Sequence, residues 1–173
     1  PIIAKIENQA GVNNIQAIVS LADGIMVARG DLGVELPLAQ VPTTQKQLIQ
    51  RSVTNGKPAI TATQMLASMV TNPKPTRAEA SDVANAILDG SSAVMLSGET
   101  AIGQYPIEAI ETMADIASLT EASLKDFGVL QTIKMAELDK TAEALCQAAA
   151  RLAEQMKAAA IITLTDTGYT ARL

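Results

Sequence analysis

The sequence predicts an α/β fold in which four successive βα units form a parallel sheet. Four short apolar runs lie in the first hundred residues, and each ends in a cluster of polar residues. The runs recur roughly every 25 to 35 residues, the length of a βα unit, and stretches with helical apolar spacing separate them. Near-continuous apolar strands that alternate with helices are typical of a parallel sheet covered by helices. We therefore expect strands at about 2–6, 24–28, 58–62 and 93–96.

Helices are predicted between these strands from apolar spacing and from end signals. The first covers 12–22 and the second covers 35–55. Pro37 suits the first turn of the second helix, and Gly56 stands where its carboxyl-terminal cap is expected.

Two further helices have clear signals at their amino-terminal ends. Thr76 and Glu79 form a capping box, in which the hydroxyl accepts from the Glu79 amide and the carboxylate reaches back. The helix that they begin is expected to end at 89–90. A fourth helix follows Tyr105 and Pro106.

The apolar periodicity is lost after the fourth helix, which indicates a domain boundary. We assign residues 1–122 to the first domain, 123–137 to a linker and 138–173 to part of a small second α/β domain. In the second domain, the spacing predicts a helix around 145–156 and a strand at 158–164.

Composition excludes several classes of protein. No apolar run reaches the length of about 18 residues that a membrane span needs, and the net charge of −5 argues against a nucleic-acid partner. The absence of His excludes His-based triads, His-ligated zinc and a His general base. The single Cys146 fits a reducing cytoplasm. The chain begins in a predicted strand and stops in a predicted helix, so we expect an internal fragment of a longer protein.

Charged side chains follow the first two predicted strands at the edge where barrel enzymes place their chemistry. Lys5 and Glu7 lie two residues apart on one strand and point to the same side, and Asp31 follows the next strand. Two carboxylates with few other ligands suit Mg²⁺ or Mn²⁺, and a neighbouring ammonium stabilises phosphoryl oxygens or an enolate. Two structural alternatives stay open: a salt bridge at a strand end, and Asp31 as a helix N-cap.

Five peptides occur in order along the predicted strand ends and helix starts. They are Ala4–Asn8, Met26–Gly33, Ala62–Leu66, Pro75–Glu79 and Met95–Ala101. Together they resemble the pyruvate kinase family. The resemblance covers residues 1 to about 120, and the remainder looks like the start of the family's carboxyl-terminal domain.

The resemblance implies a fold and an activity. The fold would be the second half of a (βα)8 TIM barrel, with four parallel βα units, followed by part of a small α/β domain. The activity would be phosphoryl transfer from phosphoenolpyruvate to ADP in glycolysis, giving pyruvate and ATP, with Mg²⁺ (or Mn²⁺) and K⁺ as cofactors. A cytoplasmic homotetramer is implied for the complete protein, with no nucleic-acid or membrane partner. The K⁺ site belongs to the missing half, so the fragment alone is expected to be inactive.

The resemblance also assigns roles to residues. Glu7 and Asp31 match the metal ligands, and Lys5 matches the lysine that stabilises the phosphoryl group in transfer. Gly30 and Asp31 would offer backbone amides to the substrate carboxylate. Thr63 matches a hydroxyl near the carbon that is protonated, so Lys5 and Thr63 are the predicted catalytic residues.

Three other features have weaker assignments. Arg29 lies beside the site and is expected to be structural, and 97–100 is expected to shape the rim of the pocket. A loop after the last predicted strand resembles one that binds a phosphorylated effector in some members, although an ordinary connection is equally compatible. Its candidate residues, around Asp166, are Thr165, Thr167, Gly168 and Thr170.

Two other functions stay open from the sequence. One is a different metal-dependent barrel enzyme of the phosphoenolpyruvate/pyruvate type, such as an aldolase. The other is a non-catalytic assembly fragment, because the helix over 76–88 resembles one at a subunit contact.

Overall fold

The computed structural model describes residues 1–127, 140–166 and 168–172. Four strands and ten α-helices lie in these ranges. In chain order they are β1 (Ile3–Ile6), α1 (Gln9–Asn13), α2 (Ile15–Leu21), β2 (Gly24–Ala28), α3 (Arg29–Glu35), α4 (Val41–Thr54), β3 (Ala59–Ala62), α5 (Arg77–Leu88), β4 (Ala93–Met95), α6 (Gly98–Ala101), α7 (Pro106–Glu121), α8 (Leu124–Phe127), α9 (Lys140–Gln155) and α10 (Tyr169–Arg172). Short 3₁₀ helices cover Leu38–Gln40 and Ala67–Val70.

The four strands form one parallel sheet in the order β1-β2-β3-β4. Lys5 in β1 pairs with Met26 in β2, and Met26 pairs with Ile60 in β3. These three residues therefore lie side by side across the sheet. All four predicted strands are confirmed, and their ends differ from the prediction by at most one residue. Within the described residues β1 and β4 each have one unpaired edge, which is the arrangement of an open part of a barrel.

The first predicted helices differ from the structure in their boundaries. The helix predicted over 12–22 begins earlier and is divided at Asn14 into α1 and α2. Its N-cap is Asn8, whose side chain accepts from the Gly11 amide at 2.9 Å. An Asn N-cap satisfies one of the free amides of the first turn, and this signal could have located the helix start.

The second predicted helix is also divided. The segment 35–55 contains the end of α3, a 3₁₀ helix and α4, and Pro37 precedes the 3₁₀ helix instead of lying in a helical first turn. Pro42 occupies that position in α4, where its missing amide has no cost. Gly56 follows the cap residue Asn55 with a φ of 65°, as its predicted place at the helix end requires.

The two later helices of the first domain are confirmed. Thr76 and Glu79 form both hydrogen bonds of the capping box at the start of α5. Helix α7 begins at Pro106, directly after Tyr105.

Two groups of buried apolar side chains hold the helices against the sheet. The first lies between β1–β2 and helices α2 to α4, and includes Ile6, Ile25, Val27, Leu32, Leu48 and Ile49. The second joins α5 and α7 to the segment after β3, and includes Met65, Leu66, Met69, Val83 and Met113. Leu124, inside the predicted linker, packs against the second group. The predicted domain bounds stay a prediction, and most of the predicted linker lies outside the described residues.

Of the two elements predicted in the carboxyl-terminal part, only the helix is confirmed. Helix α9 covers the stretch predicted from apolar spacing. The strand predicted at 158–164 is wrong, because this segment pairs with no strand in the described part of the chain. A strand needs a partner for its amides and carbonyls, and Ile162 and Leu164 are fully exposed here. No helix in the described ranges has the length and apolar character needed to cross a membrane.

Candidate functional site

Lys5, Glu7 and Asp31 meet at the carboxyl-terminal edge of the sheet. The Lys5 ammonium contacts Glu7 Oε2 at 2.6 Å and Asp31 Oδ2 at 3.0 Å. Because both carboxylates touch the same nitrogen, their contacting oxygens lie within about 6 Å of each other, as expected for ligands of one ion. Side chains alternate along β1, so Lys5 and Glu7 point to the same side. The parallel pairing of β1 with β2 places Asp31, which follows β2, beside them.

Both carboxylates remain accessible. The side chains of Glu7 and Asp31 are 41% and 54% exposed, and each uses one oxygen to contact Lys5. Hydrogen bonds to Glu7 and then to Asp31 raise the pKa of Lys5 above its ordinary value of 10.5. The ammonium is thus charged at neutral pH, and the predicted salt bridge is present alongside the predicted convergence.

Asp31 lies inside helix α3 and does not cap it. The N-cap is Ala28, which makes no side-chain capping bond, and Asp31 is in the first turn. An acidic side chain in this turn is favoured by the helix dipole. The N-cap alternative for Asp31 is therefore wrong, while its place beside Lys5 is as expected.

A shallow cleft adjoins the two carboxylates. It has a volume of about 260 Å³ and is lined by Glu7, Asn8, Asp31, Val34 and Glu35. Within the described part of the chain, no group of three or more His, Cys, Asp or Glu side chains is arranged to hold a metal. An ion held by Glu7 and Asp31 would take its other ligands from water and substrate. Mg²⁺ and Mn²⁺ bind in this way, so the residues present fit such an ion.

Thr63 directly follows β3 in an unusual backbone conformation. Its φ is 70°, and that of Gln64 is 56°, in the left-handed region that is rare for residues other than glycine and rarest for β-branched ones. The Thr63 hydroxyl donates to the Ala62 carbonyl at 2.6 Å and accepts from the Gly30 amide at 2.7 Å. The hydroxyl is therefore fixed at the same edge of the sheet as Lys5.

The Gly30 amide has a different partner from the one expected. The resemblance implies that it binds a substrate carboxylate, but here it donates to the Thr63 hydroxyl. A Cβ at position 30 would lie 3.4 Å from that oxygen, an ordinary contact distance, so a small side chain would also fit at this position.

Arg29 is a feature whose importance the sequence reasoning understated. Its side chain is only 9% exposed. The guanidinium donates to the Thr63 carbonyl at 2.8 Å and the Gln64 carbonyl at 3.2 Å, and pairs with Asp82 at 2.6 Å. The available signal was its position, a charged residue between a buried strand and Gly30.

The segment after β4 contributes a buried carboxylate. Glu99 is 3% exposed and accepts from the Leu66 amide at 3.0 Å and the Ser97 amide at 2.8 Å. It thus joins the loops that follow β3 and β4. This contact agrees with the expectation that 97–100 shapes the rim of the pocket.

The candidate effector loop is described only in part. The Gly168 amide donates to the Thr165 hydroxyl at 3.0 Å, and Gly168 has a φ of 75°. Helix α10 follows, and the Thr170 carbonyl lies 3.6 Å from Cys146 Sγ. Thr167 lies outside the described residues. These contacts form a turn before helix α10. The effector role stays a prediction.

Comparison with known proteins identifies the family. The model of the family described as pyruvate kinase, barrel domain, matches residues 1–110. The chain belongs to the pyruvate kinase family. A pyruvate kinase of Bacillus licheniformis is 55% identical over 172 residues, which is 99% of this chain and 29% of that protein. Pyruvate kinase 1 of Saccharomyces cerevisiae is 53% identical, over 99% of this chain and 35% of the relative.

A solved structure supports the same assignment of fold. The crystal structure of a pyruvate kinase from Cryptosporidium parvum superposes with a TM-score of 0.91 and 48% identity, over 99% of this chain and 35% of that one. The chain thus spans about a third of the length of the pyruvate kinases it matches. With the parallel sheet, these matches confirm the predicted α/β class and are consistent with a partial TIM barrel.

Proposed function

We propose that the complete protein carrying this chain transfers the phosphoryl group of phosphoenolpyruvate to ADP, which gives pyruvate and ATP. The observation that supports this most strongly is the convergence of Glu7 and Asp31 on the Lys5 ammonium, in a chain of the pyruvate kinase family. Phosphoryl transfer depends mainly on positioning and on charge stabilisation of the oxygens. A fixed cation between two carboxylates supplies both elements.

Each residue of this group has a proposed role. The Lys5 ammonium stabilises the negative oxygens of the phosphoryl group during transfer. Glu7 and Asp31 hold Mg²⁺ or Mn²⁺, which when bound neutralises charge on the phosphoryl oxygens and orients them. The Asp31 amide faces the substrate carboxylate at the start of α3, while the Gly30 amide stays on the Thr63 hydroxyl.

Thr63 is assigned to the protonation that completes pyruvate. Its hydroxyl lies at the same edge of the sheet and is held by Gly30 and by the Ala62 carbonyl. A water held by the Thr63 hydroxyl would give its proton to the enolpyruvate carbon and regain one from bulk solvent, so no charge is left on Thr63, and a hydroxyl in a fixed direction places that water. The fixed hydroxyl of Thr63 supports this role.

The wider properties of the protein are part of the same proposal. We propose a K⁺ requirement, with the K⁺ ligands outside this chain, and a homotetrameric assembly in the cytoplasm. Membership of the pyruvate kinase family is the support for both. Because a single chain of this length supplies only part of the site, the isolated chain should lack activity.

The test is an assay of the complete protein with phosphoenolpyruvate, ADP and Mg²⁺. ADP-dependent formation of pyruvate and ATP is the expected result. Carbon–carbon bond cleavage without ADP would instead indicate an aldolase-type barrel enzyme. Neither reaction, with intact association, would favour an assembly role.

The metal assignment is tested separately by Mn²⁺ binding. Glu7→Gln and Asp31→Asn should each weaken binding by about 10- to 100-fold, since each removes one of two charged ligands. Glu35→Gln is the matched control, because Glu35 lines the same cleft without contacting Lys5. Equal effects of all three substitutions would contradict the assignment.

A further inference from the structure

We infer that Arg29 is a positioning residue that holds Thr63 in its left-handed conformation and so fixes the direction of its hydroxyl. This inference rests on the proposed function, because it concerns how Thr63 is held for its role in the protonation of the enolpyruvate carbon. The sequence predicts only a structural role for Arg29. In the structure, Arg29 links the end of β2 to Thr63, the residue after β3.

The backbone at Thr63 needs an external support. Two successive residues, Thr63 and Gln64, have positive φ values of 70° and 56°, and neither is a glycine. Such conformations persist only where the surroundings stabilise them, and they concentrate at functional sites. The carbonyls of these two residues are turned so that one donor group can reach both.

Arg29 is that donor group. Its Nη2 donates to the Thr63 carbonyl at 2.8 Å and to the Gln64 carbonyl at 3.2 Å, and its Nε lies 3.3 Å from the Thr63 carbonyl. A planar guanidinium can serve two carbonyls and a carboxylate at fixed angles, whereas a lysine ammonium on a flexible stem cannot reproduce this geometry.

The guanidinium is itself fixed from the opposite side. Its Nη1 contacts both oxygens of Asp82 on α5, at 2.8 and 2.6 Å, and Gln45 Oε1 on α4 at 3.3 Å. Because Arg29 is 9% exposed, these partners also compensate its buried charge. Two helices thus hold the side chain that holds Thr63.

Arg29 and Gly30 each donate a hydrogen bond to Thr63. The guanidinium binds the Thr63 carbonyl, and the adjacent Gly30 amide donates to the Thr63 hydroxyl at 2.7 Å. Both contacts come from the first two residues of α3. A change that loosens the carbonyl contact should therefore rotate the hydroxyl away from its fixed direction.

The test is a double-mutant cycle in the complete protein, with Arg29→Lys and Thr63→Val. The readout is exchange of the pyruvate methyl hydrogens with D₂O, which reports protonation at carbon separately from phosphoryl transfer. Arg29→Lys should lower the exchange rate by roughly 10- to 100-fold, the usual cost of a small misplacement, with KM for phosphoenolpyruvate changed by less than about threefold. In the Thr63→Val background the same substitution should lower exchange by less than about threefold.

The matched control is Arg51→Lys on α4, an exposed arginine, which should leave exchange unchanged within about twofold. A variant that is merely destabilised would lose exchange in both backgrounds alike, and that additive result would overturn the inference. So would an Arg29→Lys protein that behaves like the Arg51→Lys control.

If Arg29→Lys does not fold, Asp82→Asn replaces it in the cycle, because Asp82 is 40% exposed and its loss is better tolerated. It should lower exchange by about three- to tenfold, again only when Thr63 is present. A wild-type protein without exchange or phosphoryl transfer would refute the proposed function and this inference together. An active wild type with additive effects would refute this inference alone.

Discussion

The Lys5 ammonium determines the charge distribution of the candidate site. It lies between two carboxylates that would otherwise repel each other, and its hydrogen bonds to Glu7 and Asp31 raise its pKa above 10.5. A metal ion bound at the proposed site would therefore share this pair of carboxylates with Lys5. Each carboxylate has a second oxygen, so the two cations need not exclude each other.

Lys5→Met should separate chemistry from metal binding in the complete protein. We expect kcat to fall by about 10²- to 10³-fold, since a charge aimed at the transferring group is lost. Mn²⁺ binding should be kept or strengthened, because a competing cation is removed from both ligands. Steady-state kinetics and a Mn²⁺ titration measure the two effects, with Lys74→Met on an exposed residue as the control. Loss of Mn²⁺ binding in Lys5→Met would contradict this account.

At the scale of elements, one carboxylate joins two helices. Glu79 completes the capping box of α5 through Thr76, and it also accepts from the Ser68 amide at 2.7 Å and the Ser68 hydroxyl at 2.5 Å. Burial would raise the pKa of Glu79, but the hydrogen bonds from Ser68 and then Thr76 outweigh it and lower the pKa below 4.5. The 3₁₀ helix at Ala67–Val70 is thereby tied to the start of α5.

Glu79→Gln should lower the free energy of unfolding by about 1 kcal/mol at pH 7, as loss of a helix cap does. The folded-state pKa is the lower one, so the contribution of the carboxylate is complete above about pH 4.5 and is lost as the pH falls through the folded-state value. The difference from wild type should therefore shrink in acid. Urea unfolding at pH 7 and below pH 4 measures this difference in the free energy of unfolding. The control is Glu111→Gln, at an exposed position on α7. A difference that grows in acid would contradict the sign.

Gly103 lies very close to the backbone of the helix that precedes it, α6. A Cβ at this position would lie 2.2 Å from the Glu99 carbonyl oxygen in α6. Gly103→Ala should therefore destabilise the protein by about 1–3 kcal/mol, since backbone must move. Gly33→Ala is the matched control, because its Cβ would meet only Leu38 Cδ1 at 3.7 Å and alanine favours the helix. Equal melting temperatures for the two variants would refute this prediction.

At the scale of the whole molecule, the described sheet is open on both sides. The outer edges of β1 and β4 pair with nothing in the described residues, and Ile3 on β1 is 41% exposed. Unpaired strand edges beside apolar surface recruit other chains. A closed eight-stranded barrel would cover both edges.

The isolated 173-residue chain is therefore expected to self-associate and to lack kinase activity. Sedimentation velocity should show oligomers or aggregate, and a phosphoenolpyruvate assay should show no turnover above background. The complete protein, measured under the same conditions, is the control. A stable monomer, or measurable turnover by the isolated chain, would show that the open edges and the partial site are less limiting than we infer.

Local sequence patterns were enough to predict the four parallel strands, the capping box at Thr76 and Glu79, and the meeting of Lys5, Glu7 and Asp31. These features follow from local rules: side chains alternate along a strand, and successive βα units place the same strand ends at one edge. The division of the first helices and the unpaired segment 158–164 did not follow, because propensity does not report which partners a segment finds.

The arrangement of Thr63 and Arg29 depends on contacts between residues that are distant in the sequence. The left-handed backbone at Thr63 and Gln64 is unfavourable locally, so no local signal predicts it. It exists because Arg29, held by Asp82 from a helix more than fifty residues away along the chain, reaches the two carbonyls. Conformations that distant contacts stabilise against local preference cannot be read from the sequence around them.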